Sequence, residues 1–307
     1  MELTFLGTGG AWGLPEIACG CRICKKMREL GEKRNRTALL LRGEKTVLID
    51  CGPDIRDQIA RNAIERPDAV FITHEHGDHF IGMDDLFAFK RNVPRDTFTP
   101  IPVYLTEKSW EIIRLRFGYL EQMGVITPRL IDTGRWFEAG GLEAMAFKTD
   151  HGKTAAGSVG FLFRFEVSRG ATKRIVYTSD FVDIPQIPEE AVSPDILVIQ
   201  SFWLNEPVEN RPSHMSLQRA LRFIELFSPK MTYITHIGDA DMVAGDPWNT
   251  CLKKYQPKDP LGTPSGGLPY PIPCCQTDWE KTLERVLSDR RLTFKAAVAF
   301  DDLKVRI

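Results

Sequence analysis

Four side chains that can bind a metal ion fall within six residues of this chain. His74, His76, Asp78 and His79 lie in the segment Thr-His-Glu-His-Gly-Asp-His. Imidazole nitrogen and carboxylate oxygen suit Zn²⁺, Mn²⁺ and Fe, and two such ions roughly 3.5–4 Å apart can activate one water molecule between them. The segment therefore predicts hydrolytic chemistry at a metal centre.

The other candidate ligands are scattered along the chain, but each follows an apolar run of the kind that forms a β-strand. They are Asp50, His151, Asp180 and His236. Because strand ends can converge on one edge of a sheet sandwich, we expect these side chains to meet the histidine cluster there. Together with His214, these positions use all six histidines of the chain.

The elements that must position these ligands are strands with interspersed helices. Apolar runs and alternation predict strands at 1–6, 38–41, 46–50, 69–73, near 103, and at 142–148, 159–165, 174–178, 196–200 and 231–235. Helical periodicity predicts helices at 53–64, 107–117 and 217–227, the last opened by Ser213 or Ser216. This order favours two packed sheets covered by helices.

The composition is that of an ordinary globular protein of 307 residues, enough for one large domain or two small ones. A formal net charge of −1 gives no global electrostatic reason to expect a nucleic acid or an anionic membrane as a partner. The first residues lack the basic flank and apolar run of a signal peptide, and no segment has about 18 consecutive apolar residues. We therefore expect a cytoplasmic protein that does not bind a membrane.

The histidine motif and its later partners resemble the metallo-β-lactamase fold superfamily. In that superfamily His-x-His-x-Asp-His, a later His, an Asp and a final His bind a dinuclear centre. The resemblance extends from Phe-Leu-Gly-Thr-Gly-Gly near the start of the chain to Ala-Phe-Asp-Asp-Leu near its end. It implies an α/β (α+β) fold, a four-layer αββα sandwich, and a single hydrolase domain over residues 1–307.

The resemblance also implies a ligand set of seven residues shared by two divalent ions, Mn²⁺ or Zn²⁺. The set comprises His74, His76 and His151 for one ion, Asp78, His79 and His236 for the other, and Asp180 as a bridge. The two ions would lower the pKa of a water between them, and the resulting hydroxide would attack phosphorus in line. Asp78 would orient this nucleophile, and Asp50 is a candidate to fix the tautomers of the ligating imidazoles.

Three cysteines, Cys19, Cys21 and Cys24, form a second candidate site in a loop near 19–24. Their pattern is similar to the phosphoribosyl 1,2-cyclic phosphate phosphodiesterase branch of the superfamily, whose members carry a structural zinc. A closed zinc site needs a fourth donor, which in the branch is a histidine three residues after the last active-site histidine. Here that position is Asp239, so Cys₃Asp is one expectation. The alternatives are a metal-free loop or a fourth ligand from Cys251, Cys274 or Cys275.

His214 precedes the amphipathic helix predicted at 217–227. A helix N-terminus offers free N–H groups and partial positive charge, which suit a phosphate. The resembling phosphodiesterases have a histidine at this place that assists phosphate binding or protonates the leaving group. We expect the same catalytic role for His214, with a capping or packing role as the alternative.

A segment near 240–277 is rich in Gly and Pro, which predicts little regular structure. It follows His236 directly. An insertion of this kind could form a lid or rim over the active site, or it could be a surface or dimer contact.

The leading functional hypothesis is a dinuclear metal-dependent phosphodiesterase that acts on a small, cyclic phosphate ester, with one additional structural zinc. One alternative is a nuclease of the transfer-RNA 3′ processing type, which would need a basic or flexible arm for its substrate. No clear arm is present in the sequence, so a nucleic acid is disfavoured as partner. Another alternative is a non-catalytic accessory protein similar to the relatives in pyrroloquinoline quinone biosynthesis. The sequence leaves open whether the protein forms a homodimer.

Overall fold

Two seven-stranded β-sheets lie at the centre of the computed structural model, which describes residues 1–167, 170–208, 214–263 and 267–307. The first sheet has the spatial order β14-β1-β2-β3-β4-β5-β6. Its strands are β1 (Glu2–Gly7), β2 (Ala38–Arg42), β3 (Thr46–Ile49), β4 (Ala69–Phe71), β5 (Ile101–Leu105), β6 (Ile126–Leu130) and β14 (Lys304–Arg306).

The second sheet has the spatial order β13-β12-β11-β10-β9-β8-β7. Its strands are β7 (Trp136–Ala139), β8 (Leu142–Lys148), β9 (Val159–Val167), β10 (Ala171–Tyr177), β11 (Ile196–Gln200), β12 (Met231–Thr235) and β13 (Ala296–Val298). Each sheet is antiparallel on one side and parallel on the other: β3 to β6 and β10 to β13 pair in parallel. The parallel strands therefore have their carboxyl ends at a common edge.

Helices supply most of the crossovers that parallel pairing requires, whereas the connection from β10 to β11 contains only a 3₁₀ turn in its described elements. The helices are α1 (Arg22–Leu30), α2 (Ile55–Arg61), α3 (Gly77–Phe80), α4 (Phe87–Arg91), α5 (Glu107–Gln122), α6 (Leu217–Phe227) and α7 (Gln276–Asp289), with 3₁₀ turns at Ile81–Leu86, Glu189–Ala191 and Pro247–Thr250. In the part of the chain that the structure describes, no helix is both long enough and apolar enough to span a bilayer.

Three apolar clusters show which faces of the sheets pack together and which pack against helices. One contains inward-facing residues of both sheets, and in it Phe71 meets Phe161 and Phe163 edge-on, each with ring centroids 5.1 Å apart. A second cluster joins the outer face of the first sheet to α5, for example through Ile113, and the third joins the outer face of the second sheet to α6 and α7. The order helix, sheet, sheet, helix confirms the αββα sandwich.

Most predicted elements are confirmed, and the differences have local causes. The helix predicted at 53–64 is shorter, because Asp54 is its N-cap and the chain turns left-handed at Ala63, with φ of 47°. Helix α6 begins as expected: the Ser216 hydroxyl accepts a hydrogen bond from Arg219 N at 3.2 Å. The alternative cap, Ser213, lies outside the described residues.

Candidate metal centre

The candidate ligands lie at strand ends on one edge of the two sheets. Asp50 directly follows β3, His74 follows β4, Asp180 follows β10 and His236 follows β12. Asp50 and His236 have left-handed backbone angles, with φ of 63° and 57°. The chain therefore turns sharply at the strand end, a conformation that non-glycine residues adopt rarely and that is common at functional sites.

His74, His76 and His151 form the first ligand group, with one ligand atom from each within 4.8 Å of the others. His151 Nε2 lies 3.0 Å from His76 Nδ1. The opposite ring nitrogens contact hydroxyls: His74 Nδ1 lies 2.9 Å from Thr73 Oγ1, and His76 Nε2 lies 3.0 Å from Thr154 Oγ1. These contacts leave one nitrogen of His74 and of His76 directed at a common point, as ligation requires.

Asp78, His79, Asp180 and His236 form the second ligand group. Asp180 Oδ2 lies 2.9 Å from His236 Nε2 and 3.5 Å from His79 Nε2. The same oxygen lies 3.8 Å from Nε2 of His151, which belongs to the first group. Asp180 Oδ1 is buried without a hydrogen-bond partner among the described residues, and the close contacts of Oδ2 given above are all with imidazole nitrogens. Such acceptors between two sets of imidazoles fit a cation that the carboxylate shares.

The protonation states also fit a divalent cation. Burial lowers the pKa of His74 well below its usual value and the pKa of His151 to about 4. Both rings are therefore neutral, and each can offer a nitrogen lone pair to a metal ion. Burial disfavours ionisation of Asp180, but the charges of His236 and His79 hold its pKa well below its usual range. Burial also opposes a charge on His79, yet its carboxylate neighbours raise its pKa. A proton and a metal therefore compete for His79.

Asp50 occupies the position expected of a residue that orients a ligand. Its carboxylate is fully buried and lies 2.7 Å from His79 Nδ1. It also accepts hydrogen bonds from Thr73 N and Thr73 Oγ1, both at 2.9 Å. This contact directs His79 Nε2 at the ligand group.

His214 lies beside both ligand groups, with Nδ1 3.6 Å from Asp180 Oδ2. Its ring stacks on Phe202, with centroids 4.6 Å apart and planes 16° apart. Burial is the main reason that the pKa of His214 is lowered to about 3. The imidazole is therefore neutral at neutral pH, which favours a role in hydrogen bonding over the role of a stored proton donor. His214 also precedes the helix cap Ser216 by two residues, so it does not itself cap α6.

The three cysteines meet Asp239 in a third group, and all four residues are buried. Asp239 Oδ2 lies 3.7 Å from Cys19 Sγ, 3.4 Å from Cys21 Sγ and 3.0 Å from Cys24 Sγ. With zinc bonds of about 2.3 Å to sulfur and about 2.0–2.2 Å to oxygen, tetrahedral ligands lie about 3.5 Å apart, so the group fits a zinc ion. The hydrogen bond between Cys24 and Cys21 lowers the pKa of Cys21 to about 6. The alternatives Cys251, Cys274 and Cys275 are not in this group.

The first part of the Gly- and Pro-rich insertion packs on the cysteine loop. Arg22 N donates to Asp246 Oδ2 at 2.7 Å, and Lys253 Nζ donates to both Asp239 and Glu16. A side-chain atom added to Gly20 would clash with the Trp248 ring at 2.5 Å. Among the described contacts, this part of the insertion therefore covers the cysteine group, and a lid over the histidine centre stays a prediction.

Sequence reasoning missed several residues that shape the centre. Thr73 contacts His74, Thr154 contacts His76, and Phe202 supports His214. Only Thr73 had a sequence signal, because it lies between a predicted strand and the histidine motif. The other two come from loops whose approach to the centre depends on the whole fold.

Comparison with known proteins identifies the family. The family described as "Beta-lactamase superfamily domain" matches residues 45–237, more than half of the chain. The octanoyltransferase of Porphyromonas gingivalis is 46% identical over 88 residues, which are 28% of this chain and 18% of that protein. Ribonuclease Z of Pyrococcus abyssi is 25% identical over 248 residues, which are 78% of this chain and 68% of that protein.

Among solved structures, a diphosphatase from the PhnP family is similar, with a TM-score of 0.70 and 25% identity. The match covers 100% of this chain and 97% of that chain. The chain spans less than half the length of the first curated relatives that it matches. The family match and the αββα sandwich show that the chain belongs to the beta-lactamase superfamily and has the metallo-β-lactamase fold, which implies divalent metals.

Proposed function

We propose that this protein is a dinuclear metal-dependent phosphodiesterase that acts on a small phosphate ester. The observation that carries the proposal is the position of Asp180. One oxygen of its buried carboxylate lies within 4 Å of imidazoles from both ligand groups. Two cations held in this way can share one water and one phosphoryl group, as in two-metal hydrolysis.

When bound, the two ions would supply an activated water and would neutralise phosphoryl oxygens as charge develops on them. Asp78 is the ligand-group carboxylate that solvent reaches, with a side chain 12% exposed against 2% for Asp180. Asp78 can therefore bind a metal and accept a hydrogen bond from the attacking water. The neutral His214 ring offers one N–H, which we assign to a phosphoryl oxygen of the substrate.

The chemical type of the ligand atoms determines which metals we propose for each site. Imidazoles and carboxylates accept Mn²⁺ or Zn²⁺, so we propose either ion for the histidine centre. Thiolates favour zinc, so we propose one structural Zn²⁺ on Cys19, Cys21, Cys24 and Asp239. The described cysteines are unpaired, in keeping with the reducing interior of a cell, and we propose a cytoplasmic location.

A cyclic ester is the finer part of the proposal. It is supported by the resemblance of the cysteine loop to the phosphoribosyl cyclic phosphate phosphodiesterase branch and by the similarity to a diphosphatase from the PhnP family over the whole chain. The second candidate is transfer-RNA 3′ processing, favoured by the similarity to ribonuclease Z of Pyrococcus abyssi. The balanced charge of this chain argues against a polyanionic substrate.

A substrate panel tests the proposal. Cyclic phosphates, linear nucleotides, bis(p-nitrophenyl) phosphate, acyl esters and a precursor transfer RNA are assayed with Mn²⁺ and with Zn²⁺. We expect hydrolysis of phosphodiesters, fastest for small cyclic ones, and loss of this activity in Asp78→Ala. Preferred cleavage of the transfer RNA would favour the nuclease. Failure on every phosphodiester by a protein that holds both ions would overturn the proposal and favour a non-catalytic accessory role.

A further inference from the structure

Glu75 lies between the candidate ligands His74 and His76 in the chain, but it belongs to neither ligand group. It is 9% exposed, and in the described residues it forms no ion pair with a lysine or arginine. A buried carboxylate is costly unless hydrogen bonds compensate for its lost hydration. The partners that supply those bonds indicate what the side chain does.

Both carboxylate oxygens of Glu75 accept hydrogen bonds from other segments. Oε2 accepts from Ser109 Oγ at 2.8 Å, and Oε1 accepts from the main-chain N of Gly157 at 3.1 Å. Ser109 lies in the first turn of α5, whose N-cap is Thr106. The N-terminal end of a helix carries partial positive charge, which further stabilises a carboxylate there.

Gly157 lies so close to α5 that no larger residue fits. An added Cβ would lie 2.3 Å from Ser109 Oγ and 2.6 Å from Thr106 Oγ1. The Gly157 carbonyl also accepts a hydrogen bond from Thr106 Oγ1 at 3.0 Å. Thus Gly157 is held at its N–H by Glu75 and at its carbonyl by the cap of α5.

The segment that ends at Gly157 begins at a candidate ligand. His151 directly precedes this loop, 152–157, and Thr154 within the loop lies 3.0 Å from His76 Nε2. Glu75 and His76 are adjacent in the chain. Two hydrogen bonds therefore join the loop to the histidine motif, one at Thr154 and one at Gly157.

We propose that Glu75 is a positioning residue that fixes loop 152–157, so that His151 Nε2 and His76 Nδ1 face the same metal ion. This inference rests on the proposed metal centre. Glu75 acts on the group of His74, His76 and His151, because it is adjacent to His76 in the chain and binds the loop that follows His151. The group of Asp78, His79 and His236 depends on other elements and should respond less.

The test compares Glu75→Ala with Glu75→Gln. Alanine removes both hydrogen bonds. Glutamine keeps an acceptor for Gly157 N–H and places an amide N–H₂ near Ser109 Oγ, so it removes the charge but retains the links. Equilibrium dialysis against Mn²⁺ with elemental analysis reports the histidine centre, because the cysteine group favours softer ions.

We expect about two Mn²⁺ per chain in the wild type and in Glu75→Gln, with one of the two sites weakened about tenfold or more in Glu75→Ala, as for other residues that orient ligands. Wild-type affinity at both sites in Glu75→Ala would overturn the proposal. Equal loss in Glu75→Gln would also overturn it, because the charge would then matter and not the links.

A second readout does not need the metal. Hydrogen exchange of the metal-free protein should be faster across 152–157 in Glu75→Ala than in the wild type, and Ser109→Ala should give a smaller change in the same direction. If Glu75→Ala fails to fold, Ser109→Ala decides: unchanged exchange and unchanged Mn²⁺ binding there would refute the positioning role. A wild type that binds two Mn²⁺ but hydrolyses no phosphodiester would refute the proposed function alone.

Discussion

The histidine centre and the cysteine group both consist of buried ligands, but different kinds of structural element position them. The histidine centre takes His74, Asp180 and His236 from the ends of three strands in two sheets. The cysteine group takes Cys19 and Cys21 from the segment before α1 and Asp239 from the segment after β12. Cys24 lies in the first turn of α1, whereas the sequence predicts a loop there. A rigid sheet edge therefore positions the first group, whereas contacts between the start of one helix and distant loop segments position the second.

The two regions also balance charge differently. The histidine centre combines mostly neutral imidazoles with the carboxylates of Asp78 and Asp180, so two divalent cations would leave a net positive charge there, which suits an anionic substrate. A zinc ion on three thiolates and a carboxylate would leave a negative group in a buried place. Lys253, which pairs with Asp239, and the buried Lys254, which donates to the Asp239 and Asp241 carbonyls, lie beside that group. The insertion thus brings positive charge to the cysteine site.

The largest expected effect separates the two regions. Asp180→Asn should lower phosphodiester hydrolysis by about 10³-fold, because the variant loses the charge that lies between the two ligand groups. Mn²⁺ binding should fall, while zinc at the cysteine group should be unchanged in elemental analysis. Asp183→Asn, an exposed change three residues later, is the matched control. Wild-type Mn²⁺ binding in Asp180→Asn would contradict a shared ligand.

An intermediate effect is expected from the other region. Cys24→Ser should remove one zinc per chain and lower the free energy of unfolding by about 3 kcal/mol, in the range for loss of a structural metal. Denaturant titration and zinc analysis measure both quantities. Cys251→Ser, outside the group, should change neither. Retained zinc in Cys24→Ser would show that the cysteine loop is not the zinc site.

The same contrast explains what the sequence could predict. Strand ends are marked by apolar runs, so the sequence alone predicts that Asp50, Asp180 and His236 lie at the centre. The fold of the central strands followed from the same runs. The sequence predicts none of the edge strands β6, β7, β13 and β14, because they are short and partly exposed and their sequences lack a clear apolar pattern.

Contacts between loops that are far apart in the sequence leave no recognisable pattern in the local sequence of either loop. Lys253 is 237 residues from Glu16, with which it pairs, and Gly157 is 82 residues from Glu75. Helix α7 did have a signal, since Trp279, Leu283 and Val286 are buried at helical spacing. The neighbouring Gly- and Pro-rich segment, which predicts little regular structure, masks this signal.

The smallest expected effect concerns charge at the cysteine group. The Lys253 side chain is 25% exposed and keeps part of its hydration, so its replacement should affect folding less than Cys24→Ser does. Lys253→Met should nevertheless release zinc to a chelator faster, because the buried thiolates lose a compensating charge, and Lys253→Arg should release it at nearly the wild-type rate. Slower release in Lys253→Met would mean that the ammonium competes with the metal for Asp239, and the insertion would then weaken the site that it covers.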